Sequence, residues 1–312
     1  MKIVLLDAST LGQVSNLQEI EKFGSITSFE TTKPHQTVER SKDADIVLTN
    51  KVILDKTVLE QLPNLKLICI TATGMNNVDL EYAKQKGIIV KNVVGYSTHS
   101  VSQVTFSMAL RLLSNLCNYD AYVKSKDYVS SPIFTHLSNG FTEINGKKWG
   151  IIGMGNIGRN VAKIATSFGA EVCYHSTSGV KRDEGYKQVS LEQLLKNTDI
   201  VSIHSPLNDA TANLIDIEEL NMMKQTAILI NVARGGIVNE KALVTALNEN
   251  IIAGAGVDVF ETEPIEDKSP FFDVINQDKI VLSPHIAWAS TEARQNLIEK
   301  VIKNIEEFVN NK

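Results

Sequence analysis

The sequence predicts an α/β protein with two doubly wound parallel-sheet domains. Short apolar runs alternate with polar-apolar segments of helix length, and this alternation starts again near residue 147. Continuous Val/Ile/Leu strands separated by helices are typical of parallel sheets that are covered on both faces. A length of 312 residues also provides enough chain for two domains with their own cores.

Four strand candidates lie in the first hundred residues, and six more follow the restart. The first four are the segments KIVLLDA, DIVLTN, LKLICIT and GIIVKNV. The second six are KKWGIIG, AEVCYH, DIVSIH, AILINVA, AGAGVDV and KIVLSPH. We expect a long helix over about 97–116, a mixed excursion over 120–146, and a last helix over about 290–310 with apolar residues at helical spacing.

Composition argues against several classes of protein. The net charge is −5 without a basic stripe, so we expect no nucleic-acid partner. No run approaches the roughly 18 apolar residues of a membrane span. The three cysteines have no metal-ligand spacing, so we expect no metal site. Their apolar surroundings predict buried free thiols in a reducing compartment, the cytoplasm.

A glycine-rich loop follows the first strand of the second array. Gly153, Gly155 and Gly158 form G-x-G-x-x-G between this strand and a helical segment that ends at Gly169. The first glycine permits a tight turn, the second lets a pyrophosphate approach the backbone, and the third lets the helix pack on the strand. The helix N-terminus then faces the phosphates. The loop in this context predicts dinucleotide binding.

The segment EVCYHSTSG at 171–179 bears on which dinucleotide is bound. The second strand of such a unit usually ends with an acid that bonds the adenosine ribose. Here Ser176 and Thr177 stand in its place. An acid would repel the 2′-phosphate of NADP, whereas hydroxyl groups do not. We therefore expect NADP(H) or NAD(H) to bind, with NADP(H) favoured by a small margin. The alternative is a turn that only caps the strand, with NAD bound through its other contacts.

Three ionisable side chains follow later strands: Arg234 in NVARGG, Glu263 in VFETEP and His285 in LSPHIAW. Open α/β sheets bind their ligands at such carboxyl ends of strands. A guanidinium can bind a carboxylate through two hydrogen bonds. A histidine beside a carboxylate can act as acid or base near neutral pH. Together with a hydride donor, these groups describe the reduction of a 2-oxo acid. The alternatives are a structural ion pair for Arg234 and a structural histidine.

The sequence resembles the D-isomer-specific 2-hydroxyacid dehydrogenases over essentially its whole length. The matching segments, in chain order, are ATGMNNVDL, GYSTHSVSQ, GIIGMGNIGR, HSPLNDAT, INVARGGIVNE, GAGVDVFETEP and PHIAWAS. The resemblance implies a flavodoxin-like substrate-binding domain over 1–96 and 288–312, and a Rossmann dinucleotide-binding domain over 97–287. It also implies a homodimer with a dimerisation arm at about 120–146.

By the same resemblance, Arg234, Glu263 and His285 are the catalytic residues. Arg234 binds the carboxylate of the substrate and polarises its carbonyl. His285 is the acid/base, and Glu263 stabilises its protonated form. Thr73 and Gly74 offer backbone N–H groups to the substrate carboxylate.

The resemblance also implies the residues that bind the nicotinamide cofactor. Asp258 matches the residue that holds the nicotinamide carboxamide. The full implied set is Gly153, Gly155, Asn156, Ile157, Gly158, Ser176, Thr177, His204, Pro206, Thr211, Val232, Ala233, Asp258 and His285.

Within the family, TGMNNVDL, GYSTHSV and HIAWAS are most similar to segments of glycerate dehydrogenases, also called hydroxypyruvate reductases. This implies reduction of hydroxypyruvate or glyoxylate, with Trp288 as a wall of the substrate pocket; a half-buried packing role is the alternative for Trp288. A D-lactate dehydrogenase stays open, because pyruvate differs from hydroxypyruvate by one hydroxyl group. A hypothesis from another class is a dinucleotide-sensing binding protein like the carboxy-terminal-binding-protein corepressors, which keep this fold.

Overall fold

Two parallel sheets organise the chain, which the computed structural model describes over residues 1–137, 140–182 and 185–310. One unit contains Met1–Ser97 and Ala289–Lys312, and the other contains Thr98–Trp288. Each of these boundaries lies one residue from the predicted one. The predicted fold class, α/β with two parallel-sheet domains, is confirmed by the strand pairing within each unit.

The sheet of the first unit has five strands, all parallel. They are β1 (Lys2–Leu5), β2 (Ser25–Ser28), β3 (Ile46–Thr49), β4 (Leu67–Ile70) and β5 (Ile89–Lys91). Their order, β2-β1-β3-β4-β5, is that of the flavodoxin-like fold. Strands β3 and β4 are wholly buried, which explains their continuous apolar sequences. Strand β2 is absent from the sequence prediction because it is a polar edge strand, SITS, with three exposed residues.

Short helices connect these strands. They are α1 (Thr37–Ser41), α2 (Lys56–Leu59) and α3 (Leu80–Gln85), with 3-10 turns at Ala8–Thr10, Leu17–Phe23 and Pro34–Gln36. Aspartate side chains cap two of these helices, since Asp55 accepts a hydrogen bond from Val58 N at 3.0 Å and Asp79 accepts one from Tyr82 N at 2.9 Å. Such caps satisfy N–H groups that the first turn of a helix leaves without a partner.

The sheet of the second unit has seven strands, also all parallel. They are β6 (Lys148–Ile152), β7 (Glu171–His175), β8 (Lys187–Gln188), β9 (Ile200–Ile203), β10 (Ile228–Asn231), β11 (Gly254–Val257) and β12 (Ile280–Leu282). Their order is β12-β11-β10-β9-β6-β7-β8, the Rossmann order with one additional strand. The order reverses between β6 and β9. Strand β8 is missing from the sequence prediction because a Lys-Gln pair carries no apolar pattern.

The helices of the second unit lie between these strands and before them. They are α4 (Thr98–Ser114), α5 (Leu116–Lys124), α6 (Asn156–Ser167), α7 (Leu191–Asn197), α8 (Ile217–Met222) and α9 (Glu240–Asn248), with 3-10 turns at Asp127–Ser130, Pro270–Asp273 and Gln277–Lys279. The helix predicted over 97–116 ends at Ser114, because Asn115 adopts a left-handed conformation with φ of 50°. The predicted excursion therefore begins as helix α5. Ser138 and Asn139 of that stretch lie outside the described residues.

The last helix, α10 (Thr291–Asn310), belongs to the first unit, which is therefore discontinuous in sequence. Helical spacing puts its apolar side chains on one buried face, formed by Ala293, Leu297, Val301, Ile305 and Phe308. Hydrogen bonds fix the helix at both ends of that face. Arg294 Nη1 donates to Leu11 O at 3.0 Å, and Asn304 Nδ2 donates to Asn92 O at 3.1 Å.

The three cysteines are free but do not share one environment. Cys69 in β4 is buried, and burial raises the pKa of its thiol to about 12. Cys173 in β7 is partly buried, and burial raises the pKa of its thiol too. Cys117 in α5 is exposed, so the prediction of a buried thiol is wrong for this residue. Its apolar neighbour Leu116 is also exposed, so the apolar sequence does not mark a core position here.

Across the described ranges, none of the helices is long and apolar enough to cross a membrane. The same residues contain no group of three or more His, Cys, Asp and Glu side chains that could hold a metal ion.

Candidate active site

The carboxyl edge of the second sheet gathers most of the predicted site residues. In chain order, the residues that follow its strands include Gly153, Ser176, His204, Arg234, Asp258 and His285. Carboxyl ends of parallel strands meet at one edge, and the strand order of this sheet reverses between β6 and β9. An edge of this kind is a topological switch point, where open α/β sheets bind ligands.

The glycine-rich loop after β6 has the backbone that its sequence predicts. Gly153 has φ of 96°, and a Cβ on it would lie 2.9 Å from the His204 carbonyl oxygen. A Cβ on Gly158 would lie 2.2 Å from the Gly153 carbonyl oxygen, so the helix can pack on the strand only with glycine here. Gly155 differs, because a Cβ on it would meet nothing within 4 Å. The loop therefore leaves open space at Gly155, which fits a pyrophosphate close to the backbone.

The N-terminus of α6 adjoins this open space. The helix begins at Asn156, Gly155 is its N-cap, and no side chain caps it. The first turn, which includes Ile157 and Gly158, contains no acidic residue. The N–H groups of a first helical turn lack helical partners and attract phosphate. The local structure thus fits the phosphates of a dinucleotide.

The turn after β7 uses the hydroxyl group of Ser176 internally. Ser176 Oγ donates to Val180 O at 2.8 Å and lies 3.4 Å from Ser178 Oγ. Thr177 beside it is half-buried. No acidic residue occupies 176–178. The Ser176 hydroxyl therefore caps the end of its own strand, which is the alternative to a contact with a phosphate. The turn also lacks a carboxylate that would repel a 2′-phosphate.

His204, after β9, has a neutral ring with one unsatisfied nitrogen. Burial lowers its pKa to about 3. Trp149 Nε1 donates to Ser202 Oγ at 2.9 Å, and Ser202 Oγ lies 3.0 Å from His204 Nε2. If the serine proton is given to Nε2, the ring proton is on Nδ1. His204 Nδ1 is buried without a partner among the described residues. A buried donor of this kind is one that a bound ligand can satisfy.

The loop that continues from His204 is held by a threonine. Thr211 is fully buried, and its Oγ1 donates to Pro206 O at 2.7 Å. The same hydroxyl oxygen accepts from Asn208 N at 2.8 Å. Pro206 and Thr211, both predicted to contact the cofactor, therefore belong to one closed turn at the sheet edge.

The turn after β10 contains Arg234, and the side chain of a buried asparagine, Asn231, holds its backbone. Asn231 Oδ1 accepts from Ala233 N at 3.1 Å, and Asn231 Nδ2 donates to Arg234 O at 3.0 Å. Val232 and Ala233 are buried, whereas Arg234 is exposed. The guanidinium donates to Ala233 O at 2.7 Å. Over the residues that the structure describes, Arg234 forms no ion pair, so it keeps donors for a ligand. Sequence reasoning missed Asn231, whose only signal is a polar residue at the end of the apolar strand ILIN.

The turn after β11 packs against the turn after β10, which contains Arg234. A Cβ on Gly235 would lie 1.9 Å from Phe260 O, so only glycine permits this approach. Glu240 Oε1 accepts from Glu261 N at 2.7 Å. Burial raises the pKa of the Glu240 carboxyl, and its hydrogen bond from Glu261 N partly offsets this. Glu240 was not predicted either; no motif distinguishes it from an ordinary first-turn acid of α9.

Glu263 and His285 form the closest pair among the predicted catalytic residues. His285 Nδ1 lies 2.7 Å from Glu263 Oε2, and Glu263 Oε1 accepts from Phe260 N at 3.1 Å. The two side chains are 23% and 30% exposed. A carboxylate is an acceptor, so Nδ1 carries a proton and Nε2 is the nitrogen that can exchange a proton with a ligand.

Asp258 supports the turn that contains His285. Its carboxylate accepts from Ser283 Oγ at 2.5 Å, from Ile286 N at 2.9 Å and from Ala287 N at 2.8 Å. Asp258 is fully buried. Burial raises the pKa of this carboxyl, and the three hydrogen bonds act in the opposite direction. The predicted contact of Asp258 with the nicotinamide carboxamide stays a prediction.

The remaining predicted residues have other surroundings. Thr73 and Gly74 belong to the first unit, after β4, where Thr73 Oγ1 donates to Val93 O at 2.9 Å. Trp288 is the last residue of the second unit; it is half-buried and packs against the apolar cluster that contains Trp149. Their contacts with substrate stay predictions.

Known proteins share this fold and these motifs. A family model described as the NAD binding domain of D-isomer specific 2-hydroxyacid dehydrogenase matches residues 106–287. The chain is 37% identical to a glycerate dehydrogenase of Methylorubrum extorquens, with 99% of this chain and 96% of that protein covered. It is 34% identical to a hydroxypyruvate reductase of Blautia hydrogenotrophica, with 99% and 97% covered.

A solved structure agrees with this comparison. The D-lactate dehydrogenase of Aquifex aeolicus, complexed with NAD and lactic acid, superposes with a TM-score of 0.84 at 29% identity and covers 100% of this chain and 96% of its own. The predicted family and a nicotinamide cofactor are confirmed by these matches. The chain therefore belongs to the D-isomer specific 2-hydroxyacid dehydrogenase family of nicotinamide-dependent oxidoreductases.

Proposed function

We propose that the protein reduces hydroxypyruvate or glyoxylate to the D-2-hydroxy acid with a reduced nicotinamide cofactor. The observation that carries the proposal is the pair of His285 Nδ1 and Glu263 Oε2 at 2.7 Å, on the same sheet edge as Arg234 and the glycine-rich loop. Two of the relatives are a glycerate dehydrogenase and a hydroxypyruvate reductase, which supports this choice of substrate.

Arg234 binds the substrate carboxylate in this proposal. Its exposed guanidinium uses Nη1 on Ala233 O and retains its other N–H groups for two parallel bonds to a carboxylate. The buried side chain of Asn231 holds the turn, so the guanidinium begins from a fixed backbone. Fixed placement of both substrate ends lowers the entropic part of the barrier. Thr73 and Gly74 add backbone N–H groups to the carboxylate in this proposal.

His285 moves the proton. When bound, the cofactor supplies the hydride to the carbonyl carbon of the substrate. His285 Nε2 gives its proton to the carbonyl oxygen, and the alcohol results. Glu263 fixes the ring through Nδ1 and stabilises the imidazolium that must be present before each reduction. In the opposite direction, neutral Nε2 accepts the proton from the alcohol.

Several residues would hold the cofactor. Gly155 and the first turn of α6 fit its pyrophosphate, because the loop surface is open and the N–H groups lack helical partners. The buried Nδ1 of His204, which has no partner among the described residues, offers a further hydrogen-bonding group. Val232 and Ala233 provide buried apolar surface next to Arg234.

We further propose that NADPH is accepted and is preferred to NADH by a small margin. The support is the absence of an acid at 176–178. A carboxylate about 5 Å from a 2′-phosphate costs on the order of 3 kcal/mol per unit charge at an effective dielectric of about 20. Ser176→Asp should lower kcat/KM for NADPH about tenfold or more and leave NADH similar or better. Ser178→Asp, an acid two residues farther along the same turn, is the control. An unchanged cofactor ratio in Ser176→Asp would refute the proposal.

A panel of 2-oxo acids tests the substrate. Oxidation of NADPH and NADH is measured by absorbance with hydroxypyruvate, glyoxylate and pyruvate. The proposal expects the highest kcat/KM with hydroxypyruvate or glyoxylate. A preference for pyruvate would establish the D-lactate alternative, which the Aquifex aeolicus structure favours. Cofactor binding without turnover of any acid would establish a dinucleotide-sensing protein.

We also propose a homodimer formed through the arm at about 120–146. Among the described residues of this arm, six large apolar side chains are more than half exposed: Val123, Val129, Ile133, Phe134, Leu137 and Phe141. Apolar surface of this extent usually lies in an interface. Light scattering should give twice the mass of one chain. A double Val129→Glu and Phe134→Glu variant should give one chain. Ile275→Glu, equally exposed but outside the arm, should remain dimeric.

We place the enzyme in the cytoplasm. Its three cysteines are free, and a reducing compartment keeps thiols in that state. Fractionation of the source cells with an antibody to the protein tests this location.

A further inference from the structure

We propose that Asp258 is a positioning residue whose carboxylate holds the turn of His285 in its active conformation. The inference rests on the proposed function of His285, and it assigns Asp258 a task in addition to the predicted contact with the nicotinamide carboxamide. The two tasks make different demands on the carboxylate, and these can be measured separately.

The donors on Asp258 come from both sides of His285. Ser283 Oγ donates to Oδ1 at 2.5 Å and Ile286 N to Oδ1 at 2.9 Å, while Ala287 N donates to Oδ2 at 2.8 Å. Ser283 lies two positions before His285, and Ile286 and Ala287 are the two residues after it. The side chain therefore closes a ring of hydrogen bonds around the residue that exchanges the proton.

The backbone of His285 requires such support. Its φ is 55°, in the left-handed region that side chains other than glycine rarely adopt. His285 N also donates to the carbonyl oxygen of Asp258 at 2.8 Å. Asp258 thus binds the turn through both its main chain and its side chain. A residue in an unfavourable conformation keeps it only when its surroundings fix it.

Both oxygens of this carboxylate already accept hydrogen bonds from the turn of His285. Asp258 is fully buried, and each of its two oxygens accepts at least one hydrogen bond from residues 283–287. An asparagine has one acceptor oxygen and one NH₂ donor. In Asp258→Asn, one side of the amide would therefore turn a donor toward the N–H of Ile286 or Ala287. The turn would lose bonds even though the side chain keeps its size.

The experiment compares Asp258→Asn with the unmodified enzyme in three measurements. Hydrogen exchange with mass spectrometry follows the amides of 283–287. Fluorescence titration gives the Kd of NADPH, and steady-state kinetics with hydroxypyruvate give kcat and KM. We expect exchange in 283–287 to rise about tenfold and kcat to fall about tenfold to hundredfold, as for a small misplacement of a catalytic group. The NADPH Kd should change by less than about threefold.

Two further variants act as controls. Asp7→Asn alters a buried aspartate of the first unit that also accepts one hydroxyl and two backbone N–H bonds. It should lower stability without changing exchange in 283–287 or kcat. Ser283→Ala removes one donor of Asp258 and keeps the carboxylate. It should lower kcat about twofold to fivefold, and it decides the question if Asp258→Asn does not fold.

Opposite results would overturn the inference. Unchanged exchange in 283–287, or an unchanged kcat, would show that Asp258 does not hold the turn. A weakened NADPH Kd in the same variant would then assign Asp258 to the carboxamide alone. If Asp258→Asn does not fold, full activity of Ser283→Ala would overturn the inference. Hydrogen exchange requires no substrate. An enzyme that reduces no 2-oxo acid would therefore refute the proposed function while the exchange data still test the anchor.

Discussion

Asp45 in the first unit and Asp199 in the second occupy equivalent places at the amino edges of the two sheets. Asp45 precedes β3, accepts from Lys2 N at the start of β1 at 2.9 Å, and pairs with Lys66 at 2.6 Å. Asp199 precedes β9, accepts from Lys148 N at the start of β6 at 2.8 Å, and pairs with Lys224 at 2.8 Å. The same contacts join corresponding strands in both units.

At the carboxyl edge of each sheet, a buried aspartate accepts hydrogen bonds from a neighbouring turn, an arrangement that we call a clamp. The two clamped turns contain different residues. Asp7, after β1, accepts from Thr49 Oγ1 at 3.0 Å, Asn50 N at 3.0 Å and Lys51 N at 2.7 Å. Its turn contains no residue of positive φ. The turn on Asp258 contains His285, with φ of 55°. An aspartate therefore stabilises the turn in both units, and the catalytic role of the second turn depends on the residue it contains, His285.

The largest effect should come from the arginine of the second unit. Arg234→Ala removes two charge-assisted hydrogen bonds of about 1.5–3 kcal/mol each, so kcat/KM should fall about 10²–10⁴-fold. The NADPH Kd should stay nearly the same. Arg294→Ala in the first unit is the control, since its guanidinium is engaged with Ala289 O, Leu11 O and Gln13 O. It should lower stability but leave kcat/KM within about threefold. Equal losses in both variants would contradict the assignment.

The second comparison replaces one residue in each clamped turn, His285 in the turn on Asp258 and Lys51 in the turn on Asp7. His285→Ala should lower kcat about 10²–10⁴-fold, because it removes the proposed proton donor. Lys51→Ala, in the turn on Asp7, should leave kcat nearly unchanged, because this lysine is exposed to solvent. Steady-state kinetics with hydroxypyruvate measure both. A large loss in Lys51→Ala would show that the turn of the first unit also has a catalytic task.

Sequence reasoning found the parts of this site where residue type alone carries the information. Gly153 and Gly158 were predicted from the G-x-G-x-x-G motif, and in the structure a Cβ on either glycine would lie within 3 Å of a backbone oxygen. Arg234 and His285 were predicted from charged or ionisable side chains at strand ends. The strands that escaped prediction, β2 and β8, are polar edge strands, which form through pairing with a neighbour rather than through an apolar pattern.

The positioning residues could not be predicted in the same way. Asn231 and Glu240 act by hydrogen bonds to backbone atoms, and such bonds depend on turn conformations that leave no pattern in the sequence. For Asp258, the resemblance implied a cofactor contact and gave no indication of the bonds to Ile286 and Ala287. Ser176 was predicted as a cofactor contact, but its bond to Val180 O depends on how the turn folds back.

Stability should respond equally to the two clamps at the carboxyl edges. Asp7→Asn and Asp258→Asn each leave a buried N–H donor without its acceptor, which costs about 1–3 kcal/mol of unfolding free energy. Urea unfolding at neutral pH measures both losses. Only Asp258→Asn should also lower kcat. A stability loss confined to one variant would mean that the two clamps are not equivalent, despite their similar hydrogen bonds.

Glu263→Gln should have a smaller effect, on the rate of reduction. His285 Nδ1 lies 2.7 Å from the Glu263 carboxylate, which fixes the orientation of the ring. An amide can turn its NH₂ group toward Nδ1 in place of its oxygen, so the ring is held less firmly. Steady-state kinetics should therefore show kcat for reduction lowered about tenfold. An unchanged kcat would mean that the pair is structural.

The smallest effect should appear at the amino edges. The side-chain hydrogen bond from Lys66 lowers the pKa of Asp45. Partial burial opposes a similar shift at Asp199, but the hydrogen bonds from Lys148 N and Lys224 lower the pKa of that carboxyl as well. A depressed pKa of an acid adds stability that is present above its unfolded value, about 3.9, and that is lost as the pH falls through the folded value.

Asp45→Asn and Asp199→Asn should therefore each lower the unfolding free energy at pH 7 by about 1 kcal/mol or less. The lysine of each pair is partly exposed, so solvent screens the interaction. The difference from the unmodified protein should begin to shrink as the pH falls below about 4, where the carboxyl groups become protonated in the unfolded state. It should disappear once the pH is below their lower folded-state pKa values as well. Urea unfolding across this pH range measures the effect, and kcat should not change in either variant. If one of these substitutions lowered kcat without a loss of stability, the amino edge of that unit would have a functional task, and the assignment of catalysis to the carboxyl edge alone would be wrong.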